Sequence, residues 1–241
     1  MIPAPDATEQ GYLDELLTAM RGPCEETRPV PSEILSDAFA REFRATLLIH
    51  HYFLGSPLAT NSFEAAFTRA ARSGGHRVAQ ADDGQRFWDV EIDGRKISLK
   101  STAQKGLRAR RLHISKLCEA AWIQDMRGPA QREEATKRLF ADYTATVDSI
   151  IQLRLFRAAA HYELVEIPTS LLRQVAHVPR AAFAPDGPSI AIPEGAPSPE
   201  FTLKLDRSDA KVTLTNIDKA ACRVLATWQL RPEGEFALAS A

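Results

Sequence analysis

Hydrophobic and polar positions along the chain change period several times. Gly11–Met20 carries apolar residues at helical spacing and stops before Gly22-Pro23. Pro29-Val30-Pro31 reads as an extended linker. Ser32 is placed to cap a long helix over Glu33–Leu54, which stops at Gly55-Ser56-Pro57. Asn61 or Ser62 opens a third helix over Phe63–Ala71, closed by Ser73-Gly74-Gly75. Beyond it the period falls to two. His76–Gln80 is a short strand, and Gln85–Ile92 and Arg95–Thr102 alternate around Asp93-Gly94, a favoured two-residue hairpin turn.

The pattern then predicts a strand at Leu112–Ser115 and a helix over Lys116–Met126, broken by Gly128-Pro129. Arg132–Arg157 reads as helix, Tyr162–Ile167 as strand, and Pro168-Thr169 opens a short helix to Ala176. Ala182–Pro199 is rich in Pro and Gly and reads as loop. Strands at Phe201–Leu205, Lys211–Thr215 and Arg223–Leu230 complete the order. Helices, hairpin, helices and strands in this succession predict an α/β fold: a central mixed sheet with flanking helices and an N-terminal helical segment. Two units are expected, an N-terminal helical segment over 1–60 and a main domain over 61–241. The apolar positions Phe39, Phe43, Leu47, Leu48, Tyr52 and Phe53 cover much of the second helix and make it the expected dimer interface.

Within the hairpin, strand alternation gathers chemistry on one face. Pairing Ile92 with Arg95 sets Val90 against Ile97, Trp88 against Leu99, and Asp89 against Ser98. Asp89, Glu91, Ser98 and Lys100 then share a face opposite an apolar seam. A carboxylate beside a lysine is what phosphodiester hydrolysis needs. The carboxylate holds a divalent cation, and the ammonium orients water or offsets developing negative charge. Glu64, on the helix just upstream, is a further candidate ligand for that cation.

Composition sharpens this reading. The 241 residues carry 44% hydrophobic and 25% charged residues with a net charge of −1, ordinary for a globular protein. Any nucleic-acid-binding charge must therefore be local. It is found at Lys105, Arg108, Arg110 and Arg111, directly after the second hairpin strand, with His113 and Lys116 beyond. Arg180, Arg207 and Lys211 are further candidates for reading base edges. Three separated cysteines, Cys24, Cys118 and Cys222, form neither a disulfide framework nor a zinc pattern. Adjacent histidines at His50 and His51 point in different directions and make a poor metal site. No signal peptide is expected, and no apolar run approaches the roughly 20 residues that span a membrane.

These residues resemble the PD-(D/E)XK nuclease superfamily, with Asp89 at its first acid, Ser98-Leu99-Lys100 at its acid-x-Lys element, and Glu64 at its upstream helical Glu. Two positions depart from the pattern: Trp88 precedes Asp89 where Pro is usual, and Ser98 stands where Asp or Glu is usual. The segment Ile97–Thr102 followed by Leu112–Lys116 is similar to small type II restriction endonucleases of bacteria. The resemblance implies magnesium-dependent, sequence-specific cleavage of double-stranded DNA, often by a homodimer, in the bacterial cytoplasm, with a cognate DNA methyltransferase protecting host DNA. It makes Asp89, Ser98, Lys100 and Glu64 the catalytic set. Glu64, Glu91 or a backbone carbonyl at Leu99 would join Asp89 on the metal and make up for the carboxylate missing at Ser98. A DNA-binding protein with a decayed site, and a repair nuclease on the same fold, remain the alternatives.

Overall fold

The computed structural model describes residues 4–58, 60–82, 84–184 and 189–231. In chain order they form α1 (Ala7–Met20), β1 (Cys24–Thr27), α2 (Asp37–Leu48), α3 (Thr60–Ser73), β2 (Val78–Gln80), β3 (Val90–Ile92), β4 (Arg95–Thr102) and β5 (Arg111–Glu119). There follow α4 (Trp122–Asp125), α5 (Pro129–Thr146), β6 (Ser149–Phe156), β7 (His161–Pro168), β8 (Ser189–Ile192), β9 (Phe201–Asp206), β10 (Lys211–Asp218) and β11 (Arg223–Leu230).

Local chemistry explains several boundaries. Asp6 caps α1 in a reciprocal box with Glu9. Ser36, rather than the expected Ser32, caps α2 by accepting the Phe39 N–H. The expected long helix therefore starts later and runs out through a wider turn at Ile49–Phe53. Its residues Phe39, Phe43, Leu47 and Leu48 are buried within the chain and do not form an intermolecular face.

Seven strands among the described residues form one mixed sheet in the order β1-β11-β7-β6-β4-β3-β2, in which only β4 and β6 run parallel. This is the expected central mixed sheet with helices on its faces. On one face α2 and α3 bring Phe39, Phe43, Phe63 and Phe67 against Val90, Ile97, Leu99 and Trp228. Ring centroids of Phe43 and Trp228 lie 5.2 Å apart, and each such buried aromatic contributes roughly 1.5–3 kcal/mol. On the other face α5 and a second, antiparallel sheet in the order β5-β10-β9-β8 enclose Phe140, Tyr143, Ile150, Val165 and Leu214.

Four stretches differ from the sequence expectation, and in the first of them Ala182–Pro199, expected as loop, holds the strand β8 that pairs with β9. Ser149–Phe156, expected as the end of a long helix, is the central strand β6. It is buried on both faces, Gln152 and Arg154 included, so its burial does not follow the polar positions from which a strand's period is read. Asp148 sets its position. Its carboxylate accepts the Lys96 N–H at 2.7 Å and its own N–H donates to the Lys96 carbonyl at 2.8 Å. The parallel register Ile97 to Ser149 through Thr102 to Arg154 follows from that clamp.

Lys116–Glu119, expected as helix, continues β5, and only Trp122–Asp125 is helical in α4. Ser115 and Lys116 are both exposed while Leu117 and Cys118 are both buried, where the register with β10 shifts between Leu214 and Val212. That irregularity in the ladder breaks the alternation and mimics a helical pattern. Finally, β3 begins only at Val90, because positive φ at Gly84 and Phe87 (84° and 81°) interrupts the extended chain. The Phe87 ring instead packs edge-on against Tyr143 of α5, with centroids 5.2 Å apart.

Candidate active site

The hairpin pairs Val90 with Ile97, Glu91 with Lys96 and Ile92 with Arg95, the register expected from the Asp93-Gly94 turn. Gly94, at φ 86°, supplies the left-handed conformation that this turn needs. The ladder ends just before Asp89, whose N–H still donates to the Ile97 carbonyl at 2.9 Å. β4 runs on past the end of β3 and so exposes an unpaired edge at Leu99.

Asp89 fills that edge with its side chain. Its Oδ2 accepts the Leu99 N–H at 2.5 Å and the Ser98 hydroxyl at 3.3 Å, and lies 3.8 Å from the Lys100 ammonium. Its Oδ1 takes part in none of these contacts. In an extended strand a residue's N–H and C=O point to the same side, so the Leu99 carbonyl faces the same edge as the N–H that Asp89 holds.

Glu64 reaches this cluster from α3. Partial burial raises its carboxyl above the ordinary range, the neighbouring Asp89 charge raises it further, and Lys100 opposes both. A carboxyl whose ionisation is disfavoured by a neighbouring negative charge creates a demand for positive charge. Glu91 lies elsewhere, lining a depression with Arg77, Val78, Ala79, Asp93 and Gly94.

Ser98 is fully buried. The expected open charged face is therefore covered at this point by α5, whose buried Tyr143 directs its hydroxyl toward Ser98 without completing a well-aligned hydrogen bond. Burial holds the Tyr143 phenol far above its usual pKa, so no anion competes with Asp89 there. The face opens one step further along, at Lys100.

Among the described residues, no group of three or more His, Cys, Asp and Glu side chains is gathered to hold a metal ion. The oxygen donors that the geometry does offer are Asp89, Glu64 and the Leu99 carbonyl. Such a set suits a hard cation that retains several waters, as magnesium does.

Lys100 opens onto a cavity of about 380 Å³ shared with Thr102, Gln104, His113, Ser115, Lys116, Gln152 and Arg157. His113 and Lys116, expected near DNA, thus meet the lysine. Burial and the nearby Lys211 charge lower the His113 pKa. Lys116 is paired with Glu119 at 2.6 Å on the surface.

Gln152 and Arg157 carry no signal of this role in the sequence, because both lie in the stretch whose pattern reads as helix. In β6, Gln152 stands beside Lys100 in register and donates to the His113 carbonyl at 2.8 Å.

The basic stretch divides in two. Lys105, Arg108 and Arg110 are exposed and pair with no carboxylate of the described residues, although Arg108 donates to the Asn216 side chain at 3.2 Å. Arg111 is committed to structure, 3.3 Å from Asp218 and bonded to the Asn216 carbonyl at 3.2 Å. The loop is held from beneath by the buried Arg154, which donates to the carbonyls of Arg108 and Arg111 at 2.6 and 3.1 Å and pairs with Glu163 at 2.7 Å. Of the candidates for base reading, Arg180 is paired with Glu133 and Lys211 with Asp209.

No helix of the described residues is long and apolar enough to cross a membrane. No solved structure matches the chain. At 27% identity over 205 residues, covering 83% of the chain and 78% of the relative, it is similar to the type II restriction enzyme SmaI of Serratia marcescens. The family model of the SmaI type II site-specific deoxyribonucleases matches residues 13–230, which include both core layers and every candidate site residue. The chain belongs to the SmaI family of type II site-specific deoxyribonucleases.

Proposed function

We propose that this type II restriction endonuclease cleaves double-stranded DNA with magnesium at the end of the β3–β4 hairpin, and that the site is of the PD-(D/E)XK kind. The observation that carries this reading is the Asp89 carboxylate. One of its oxygens collects Ser98, Leu99 and Lys100, which leaves the other for a cation.

Asp89, Glu64 and the Leu99 carbonyl are the residues that would hold magnesium. When bound, the ion supplies charge stabilisation at the phosphoryl oxygens and a more acidic water. Ser98 is a positioning residue: buried and hydrogen-bonded, it fixes the Asp89 rotamer. Its hydroxyl in place of a carboxylate avoids a further negative charge in a dry site beside Asp89. Lys100 extends from the closed part of the sheet into the open cavity, where its ammonium can meet a phosphate oxygen or the attacking water. Lys105, Arg108 and Arg110 supply sequence-independent grip on the duplex backbone, with His113 and Lys116 nearer the cut strand. Cutting both strands of a symmetric site calls for a homodimer, and sparing host DNA calls for a cognate methyltransferase.

Digestion of a defined plasmid with and without magnesium tests this. Discrete fragments that require the metal are expected. Ladderless degradation at all sequences would indicate a repair or degradative nuclease, and intact DNA under every divalent ion would indicate a decayed site.

A further inference from the structure

The cavity beside Lys100 has a lining without a single carboxylate, in a chain with 31 acidic residues and a net charge of −1. Its polar lining consists of cations, hydroxyls and amides: Lys100, Lys116 and Arg157 with Ser101, Thr102 and Ser115 among them. Burial lowers the His113 pKa, so near neutral pH that ring meets a ligand as a neutral donor. Arg157 follows β6 at the rim of the cavity and is exposed. Its Nε donates to the Ala103 carbonyl at 2.7 Å, which orients the guanidinium plane. No carboxylate of the described residues pairs with the rest of that fork. A pre-oriented guanidinium over a pocket of hydroxyl donors matches a phosphate, which accepts several hydrogen bonds and carries negative charge.

We propose that this cavity is a phosphate subsite for the DNA strand, seating a backbone phosphate next along from the one presented to Lys100, with Arg157 as its anchor. The inference rests on the endonuclease reading. It adds a contact from the β6 turn that is separate from the basic stretch 105–111. It also gives Arg157 two tasks, one toward Ala103 and one toward the ligand, and the test must separate them.

The test is equilibrium binding of a fluorescein-labelled duplex in chelator, without metal, titrated across salt concentration for the full-length wild type, Arg157→Met and Arg157→Lys. Each phosphate contact contributes close to one unit to the slope of log K against log salt. Arg157→Met is expected to weaken binding and reduce the slope by about 1, while Arg157→Lys retains the slope. An unchanged slope in Arg157→Met overturns the subsite. Equal losses in the Met and Lys variants also overturn it, since the side chain would then act only through Ala103. If the wild type fails to bind duplex even at low salt, the endonuclease reading falls with it, an outcome distinct from loss of the Arg157 contact alone.

Discussion

Asp89 Oδ2 accepts the backbone N–H of Leu99 at 2.5 Å, so a side chain takes the place that the next residue of β3 would have filled in the ladder. The carboxylate is thereby anchored by the fold and free on one oxygen for chemistry. Asp89→Asn retains an acceptor for Leu99 but loses the charge. Circular dichroism and thermal unfolding should change little, whereas cleavage should be lost. Retained cleavage would remove Asp89 from the centre. Lys100→Ala should lower the single-turnover rate by about 10²–10⁴-fold with duplex binding largely kept.

Glu64 links catalysis to stability with opposite signs. Its folded-state carboxyl lies above the ordinary 4.5, through burial first and the Asp89 charge second. Between those two values the folded chain holds more protons than the unfolded one, so stability falls as pH rises through that window. Glu64→Gln abolishes this cost. The variant should unfold at higher urea than the wild type at neutral pH, and at nearly the same urea below the ordinary value, while losing cleavage. A variant less stable than the wild type at neutral pH would contradict the electrostatic account.

Ser98 offers a test of why no acid stands there. Ser98→Ala removes one hydrogen bond to Asp89 and should cost about 1 kcal/mol with a modest fall in rate, since the Leu99 N–H still orients the carboxylate. Ser98→Glu forces a second carboxylate into a fully buried site beside Asp89 and under Tyr143. Marked destabilisation without any gain in cleavage is expected; faster cleavage by a folded Glu variant would overturn this account of why serine stands there.

Glu163 holds the basic loop indirectly, through Arg154. Burial alone would raise its carboxyl, but His161, Lys219 and Arg154 outweigh burial and bring it down to about 2. His161 Nε2 lies 3.7 Å from the Glu163 carboxylate. The stability this lowered value confers is complete above the unfolded value and is lost as pH falls through about 2. Glu163→Gln should destabilise the chain by roughly 3–5 kcal/mol at neutral pH, because Arg154 is left buried without its partner. The gap from wild type should narrow in acid. A pH-independent gap, measured by urea unfolding, would show that charge is not the cause.

Much of the site could be read locally. The Asp93-Gly94 turn dictates the hairpin register and so carries Asp89 to the neighbourhood of Ser98 and Lys100, although the ladder stops at Val90 and the expected pairing of Trp88 with Leu99 gives way to packing of Trp88 against the other core. The helical Glu64 and the exposed cations Lys105, Arg108 and Arg110 are legible for the same reason: each belongs to a short element with clear punctuation. What sequence pattern could not show was cover. Ser98 reads as an exposed polar residue, yet α5 lies over it and brings Tyr143 to it, which leaves it fully buried. Nor could it identify β6. A strand that buries Gln152 and Arg154 along with its apolar residues shows no solvated face to set its period, so the pattern of Ser149–Phe156 merges with the helix before it and conceals those two residues and the Arg157 that follows. Local sequence determined the hairpin and its chemical groups, since turn geometry and alternation act over a few residues. Tertiary structure alone decided which face is open, which cations are already paired, and which distant strand stands beside Lys100, because those depend on contacts between segments far apart in the chain.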